Sequence, residues 1–164
     1  MAFNALQAPS YTPLATRGLS GKNDTIMTPP EILGTLESAL YAGDLAAAES
    51  FYADILGLPV IARQKGRHIF FAAGESLLLV FDPAATADGA PAGARLPVPG
   101  HGAKGPGHYC FKVSAQALDA WRTYLEESGV EIEADFAWPN GARSIYVRDP
   151  AGNSVEFAPA ALWF

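Results

Sequence analysis

A pattern of one strand, one helix and three further strands occurs twice in this chain, and no other feature restricts its fold as strongly. In the first copy, 36–42 has strand character and Asp44 stands at a helix cap. Leu45, Ala48, Phe51, Tyr52 and Ile55 then recur at helical spacing as far as Gly57. Strands are predicted over 60–64, 67–72 and 76–81, where Lys65-Gly66 and Gly74-Glu75 suit tight hairpins. The second copy reads the same way: a strand over 108–113, Ser114 at a cap, and Leu118, Trp121 and Leu125 on the inner side of a helix closed by Gly129. Strands over 130–136, 143–148 and 154–158 complete it. The expected architecture is α+β: two βαβββ modules, 34–82 and 106–159, forming a cupped, partly closed mixed sheet with the helices outside. An Ala, Gly and Pro-dense connector, 83–105, joins them within one domain spanning 34–164, and 1–33 has the composition of an arm or leader.

Composition narrows the function. Seventeen Asp+Glu against 11 Lys+Arg give a net charge of −6 without any basic run, which argues against general nucleic-acid binding. A single thiol, Cys110, makes no internal disulfide. No apolar run approaches a bilayer span. No basic stretch with an apolar core opens the sequence, so no secretory signal is expected, and a soluble, cytoplasmic protein without membrane partners is the default.

Each module's sheet has one face under its helix and one face open, and two open faces make a pocket. Period-two alternation assigns the side chains. Tyr109, Phe111 and Val113 form an apolar row suited to a helix, leaving His108, Cys110 and Lys112 opposite. Val155 and Phe157 likewise send Glu156 to the open side, and Leu36 and Leu40 send Glu37, Ala39 and Tyr41 there. Glu37 and His108 are repeat equivalents, each at the start of its unit's first strand, just before the run that leads into the helix. Aligning the turns at Gly74 and Gly152 pairs Glu156 with Leu78. Two carboxylates buried together cost several kcal/mol per ion, on the order of magnitude typical of unpaired interior charge, unless a cation compensates. Glu37, His108 and Glu156 are therefore the candidate metal ligands.

The text that carries a resemblance is Leu40-Tyr41-Ala42-Gly43-Asp44-Leu45, then Ser50-Phe51-Tyr52 and Leu56-Gly57, then Gly107-His108-Tyr109-Cys110-Phe111-Lys112-Val113, and last Asp149-Pro150-Ala151-Gly152-Asn153-Ser154-Val155-Glu156. With these motifs the chain resembles the vicinal oxygen chelate superfamily of glyoxalases, bleomycin-resistance proteins and extradiol dioxygenases. The resemblance implies paired βαβββ modules around a divalent metal, with ligands in the first strand of each module and the last strand of one or both. His108 and Glu156 match family ligand positions as they stand, whereas Glu37 stands where many members have His or Gln. The position at which glyoxalase I has a further Glu reads as Leu78, a departure from that enzyme's pattern.

Two carboxylates and one imidazole suit Zn, Mn, Ni, Co, Mg or Fe and leave positions for water or for two adjacent substrate oxygens. The expected function is a divalent-metal-dependent, glyoxalase-like lyase, isomerase or group-transfer enzyme acting on a small oxygenated substrate that chelates the metal. The alternatives are a metal-free drug-binding protein of the bleomycin-resistance type and an Fe-dependent extradiol-type dioxygenase; the second His that a facial triad uses has no counterpart in register. Catalytic candidates are Glu156, His68 as a general base, and Tyr146. Arg143, Arg148, Tyr41 and Trp138 are candidates for binding substrate, the arginines as carboxylate or phosphate clamps. A homodimer is expected from the resemblance.

Overall fold

The computed structural model describes residues 29–164, so most of the predicted arm lies outside the described residues. The first module runs β1 (Glu37–Tyr41), α1 (Leu45–Glu49), β2 (Val60–Gln64), β3 (His68–Ala73) and β4 (Ser76–Phe81). The second runs β5 (His108–Lys112), α3 (Leu118–Glu127), β6 (Ile132–Ala137), β7 (Arg143–Arg148) and β8 (Ser154–Ala158). Between them the connector opens with a short helix that its composition did not announce, α2 (Pro83–Thr86), capped by the Asp82 carboxylate accepting from Ala84 N at 2.9 Å.

Each module builds its own four-stranded mixed sheet, ordered β1-β4-β3-β2 and β5-β8-β7-β6. β1 runs parallel to β4 and β5 parallel to β8, while the remaining pairs are antiparallel. The two sheets do not close into a barrel.

Local chemistry explains the helices. Asp44 accepts from Ala46 N and Ala47 N, each at 3.0 Å, and starts α1. The helix then widens into a π-helical segment, Ser50–Ile55, in which Leu56 N–H reaches back to Phe51 O. The wider turn brings two consecutive large rings, Phe51 and Tyr52, into the core together. Gly57, at φ +71°, ends the segment in a left-handed conformation. In the second module Ser114 makes no side-chain cap; a 3-10 turn, Ala115–Ala117, leads into α3 instead.

The helix-covered faces of both sheets merge into one core. Phe51, Tyr52, Phe71 and Leu78 from the first module pack in the same cluster as Leu118, Leu125, Val147 and Phe157 from the second. The open faces therefore lie outside this shared core. Strand register also corrects the repeat alignment: Glu156 pairs with Cys110, and the matching pair in the first module is Leu79 with Ala39, whereas Leu78 pairs with Ser38 and is fully buried in the core. The first module's counterpart of Glu156 is thus Leu79. The turn-based alignment missed by one residue, which in a strand reverses the face.

Candidate functional site

On the open face of the second sheet, β5 and β8 set His108 and Glu156 near one another. His108 Nε2 lies 3.3 Å from Glu156 Oε2. The carboxylate is almost fully buried, with 5% of its side chain exposed against 53% for the imidazole. Oε2 has the imidazole for company, but Glu156 Oε1 is buried without any hydrogen-bond partner. A buried, unpartnered carboxylate oxygen is costly, and it is the state expected of a side chain shaped to receive a cation.

Two further groups belong to this patch. Tyr146 pairs with Glu156 across β7 and β8, and its ring stacks on His108, centroids 6.2 Å apart and 27° between planes. Burial, then the Glu156 carboxylate beside it, pushes the Tyr146 phenol above its ordinary pKa, so it stays a proton donor. Cys110 is exposed on β5, yet desolvation first and Glu156 second push its thiol up to about 12. It is a protonated thiol at neutral pH, not a nucleophile.

Glu37 stands on the open face of the other sheet, exposed. Among the described residues no group of three or more His, Cys, Asp or Glu side chains comes together as a metal-binding set. One chain thus brings His108 and Glu156 together but does not bring Glu37 to them. The expectation of two acids buried in one cup is corrected accordingly: strand pairing joins strands only within a module, and only Glu156 is buried.

The remaining candidates divide by face. Tyr41 is on the open face of the first sheet, its hydroxyl sharing a 2.9 Å hydrogen bond with His101 Nδ1 from the connector. His68 lies on the same sheet, stacked on Phe70 at 4.1 Å between centroids; its Nδ1 is buried and unpartnered, and burial, then Arg67, lowers its pKa. Trp138 donates from Nε1 to Ser144 Oγ at 2.8 Å and packs against Ala142, Ala158 and Leu162 at the end of the second sheet. Arg148 is exposed and pairs with Glu133. Arg143 shares strand parity with the core residues Ile145 and Val147 and is held by Asp135 and Asp119, so it is engaged on the helix side of β7. The aromatic group on the first sheet, with Phe81 and His101 in it, was not singled out by strand alternation, because His101 arrives from a connector without period.

A cavity of about 880 Å³ lies away from His108 and Glu156, between α2, the 100–106 stretch and the C-terminal end of β1, with Tyr41 and His101 in its wall.

Comparison with known proteins accords with this architecture. The family model described as Glyoxalase/Bleomycin resistance protein/Dioxygenase superfamily matches residues 33–157. No curated protein matches the chain. Among solved structures, one described as lactoylglutathione lyase from Agrobacterium tumefaciens is 44% identical, covers 83% of this chain and 98% of its own, and superposes with a TM-score of 0.75. A glyoxalase family protein from Enterococcus faecalis is 24% identical over 77% of this chain and 97% of its own, TM-score 0.56. A glyoxalase/bleomycin resistance protein/dioxygenase from Nocardioides is 22% identical over 82% and 86%, TM-score 0.60. The last two show the shared fold.

Proposed function

Since the chain belongs to the Glyoxalase/Bleomycin resistance protein/Dioxygenase superfamily, we propose that it is a divalent-metal-dependent, glyoxalase-like enzyme acting on a small substrate through two adjacent oxygens. The reading takes its strongest support from Glu156, whose Oε1 is buried and unpartnered while Oε2 lies 3.3 Å from His108 Nε2. The 44% identity to a structure described as a lactoylglutathione lyase supports the lyase or isomerase class.

His108 and Glu156 fit a divalent ion by donor type, and Glu37 supplies the third ligand from a second copy of the chain, because a single chain does not bring it to the pair. Such an ion, when bound, supplies Lewis-acid stabilisation of charge on substrate oxygen. The chain's own residues do the rest. Glu156 offers its unpartnered Oε1 in a dry setting, Tyr146 offers a hydroxyl proton beside it, and the half-exposed His108 ring leaves an open approach for substrate. Leu79, apolar where the other sheet carries Glu156, leaves the fourth ligand position without a carboxylate, a departure from the glyoxalase I ligand pattern.

Elemental analysis of protein purified without added metal tests this reading. About one divalent ion per chain is expected for the native protein and almost none for Glu156→Ala; equal metal content in both overturns it.

A further inference from the structure

Six arginines fall among the described residues, and four of them are matched with carboxylates: Arg63 with Glu49, Arg122 with Asp135 and Glu126, Arg143 with Asp135 and Asp119, and Arg148 with Glu133. Arg143 and Arg148, the two that the sequence offered as clamps for an anion, are therefore already engaged. Arg67 and Arg95 have no acidic partner among the described residues. Both line the same cavity of about 530 Å³, between the β2–β3 hairpin and the connector.

Carboxylates are plentiful in this chain, 17 Asp+Glu against 11 Lys+Arg, yet none stands in the wall of that cavity. Gln64, at the end of β2, is the other long polar side chain there. Two guanidinium groups gathered without a counter-charge repel one another, and an anion from solution is what relieves the repulsion. Backbone contacts set both in place. Arg67 ends the β2–β3 turn, where its carbonyl accepts from Asp82 N at 2.9 Å and its Nη1 donates to the Ala85 carbonyl of α2. That bond uses one corner of the guanidinium and leaves Nε and Nη2 for a ligand. Arg95 is carried by a loop closed at its neck, where His101 N donates to Thr86 O at 2.9 Å and Ala90 N to Val98 O at 3.0 Å. Gly89 and Gly100 pass so closely there that a Cβ on either would strike the main chain opposite. The closed loop returns Arg95 to the cavity that Arg67 lines.

We propose that Arg67 and Arg95 form an oxyanion site that takes a doubly charged phosphoryl group, as inorganic phosphate or as the phosphate end of a small molecule. Two guanidinium forks match two negative charges, and their paired N–H groups match the spacing of phosphate oxygens. The site is separate from His108 and Glu156, which belong to the other module's sheet, and it does not rest on the metal reading. The uncompensated charge already reaches a neighbour: burial first, then Arg67, lowers the pKa of His68, whose ring otherwise meets Phe70 and Phe81. A phosphoryl group on Arg67 offsets the second influence, so His68 titrates higher when the site is filled.

Calorimetric titrations of the full chain with inorganic phosphate, glycerol phosphate and acetate at constant ionic strength test the site. Phosphate is expected to bind at least about tenfold more tightly than acetate, and Arg95→Gln to weaken it about tenfold. Arg95 is exposed on the connector, so this variant reads the site even if Arg67→Gln, which also gives up the Ala85 contact, folds poorly. Glycerol phosphate binding more tightly than phosphate supports the site with an organic phosphate as its ligand, and the reverse order supports it with free phosphate. Absence of saturable phosphate binding, or an affinity unchanged in Arg95→Gln, overturns the site; acetate binding as tightly as phosphate overturns the phosphoryl class. Glu156→Ala should bind phosphate as the native protein does, and loss of binding there would put the anion on a metal instead. Proton NMR of the imidazoles supplies the last reading: the titration midpoint of His68 should rise with phosphate bound, and binding that leaves it in place overturns the assignment to Arg67.

Discussion

The Tyr52 hydroxyl donates a 2.8 Å hydrogen bond to Asp149 Oδ2, linking the helical segment of the first module to the β7–β8 hairpin of the second across 97 residues. Burial and the Asp149 charge raise the phenol's pKa well above its ordinary value, so it remains a donor. The same Asp149 oxygen accepts from Asn153 Nδ2 at 2.8 Å, and Oδ1 accepts from the backbone of Ala151 and Asn153. Asn153 carries the link onward: its Oδ1 accepts from Gly107 N at 2.7 Å, and its Nδ2 donates to the Tyr41 carbonyl at 3.2 Å. Gly107 is tight here, since a Cβ would come within 2.8 Å of Leu40 Cδ2. The hairpin thus joins the entry of β5 to the exit of β1.

Asn153→Ala leaves the Gly107 amide, the Tyr41 carbonyl and a buried Asp149 oxygen short of partners at once. It should cost about 2–4 kcal/mol of unfolding free energy, more than the roughly 1–3 kcal/mol of Tyr52→Phe. Urea unfolding of the two variants checks both values, and an additive double variant would show that the chain of bonds is not one network.

A second polar cluster sets a pH dependence. Asp135 is held by Arg143 at 2.6 Å and by Arg122, and the hydrogen bonds from Arg143 are the largest cause of its carboxyl falling to about 2. Since the folded value is below the unfolded one, the unfolded state takes up the proton first. The stabilisation is complete above about pH 4 and drains away as pH falls towards about 2, an effect of about 1 kcal/mol after solvent screening. Stability curves of the native protein and Asp135→Asn should converge over that interval and run parallel above pH 5.

Pattern alone located the eight strands to within about two residues, because hairpin glycines and alternating side chains mark them locally. Alternation likewise put His108 and Glu156 on one face, since Val155 and Phe157 could only face a helix. What period cannot supply is the relation between modules. The shared core of Phe51, Tyr52, Leu118 and Leu125 depends on long-range packing, and that packing, not the repeat, separates Glu37 from its intended partners. The Leu78 alignment failed for a related reason: it used turns, whereas the parallel β1–β4 and β5–β8 registers decide which residues correspond. His101 was legible only as a residue in a long connector.

The first sheet also shows what the second would be without its acid. Leu79 fills the position of Glu156 and is 6% exposed, without an unpartnered polar atom. Glu156→Leu should therefore abolish metal binding while raising the stability of the metal-free protein by about 1–3 kcal/mol, the cost of an unsatisfied buried group. Thermal melts with excess chelator read the gain; a destabilised variant would mean that Glu156 serves the fold rather than the site.

The proposed sharing of ligands between two copies of the chain has the most discriminating test. Glu37→Ala removes the ligand of one sheet and His108→Ala that of the other, so each variant alone should lose its metal. In a mixed dimer the two defects fall into the same site, and the other site receives an intact Glu37 from one chain and intact His108 and Glu156 from its partner. Random pairing makes half the dimers mixed, so about a quarter of all sites should recover metal in a two-fold assembly with exchanged ligands. Co-expressing the two variants under different affinity tags and isolating the doubly tagged species raises that to about half. Metal content per chain measures the recovery directly and needs no substrate. No recovery in the mixed species, with the native protein retaining its ion, would return all the ligands to a single chain and require the two sheets to rearrange around the shared core.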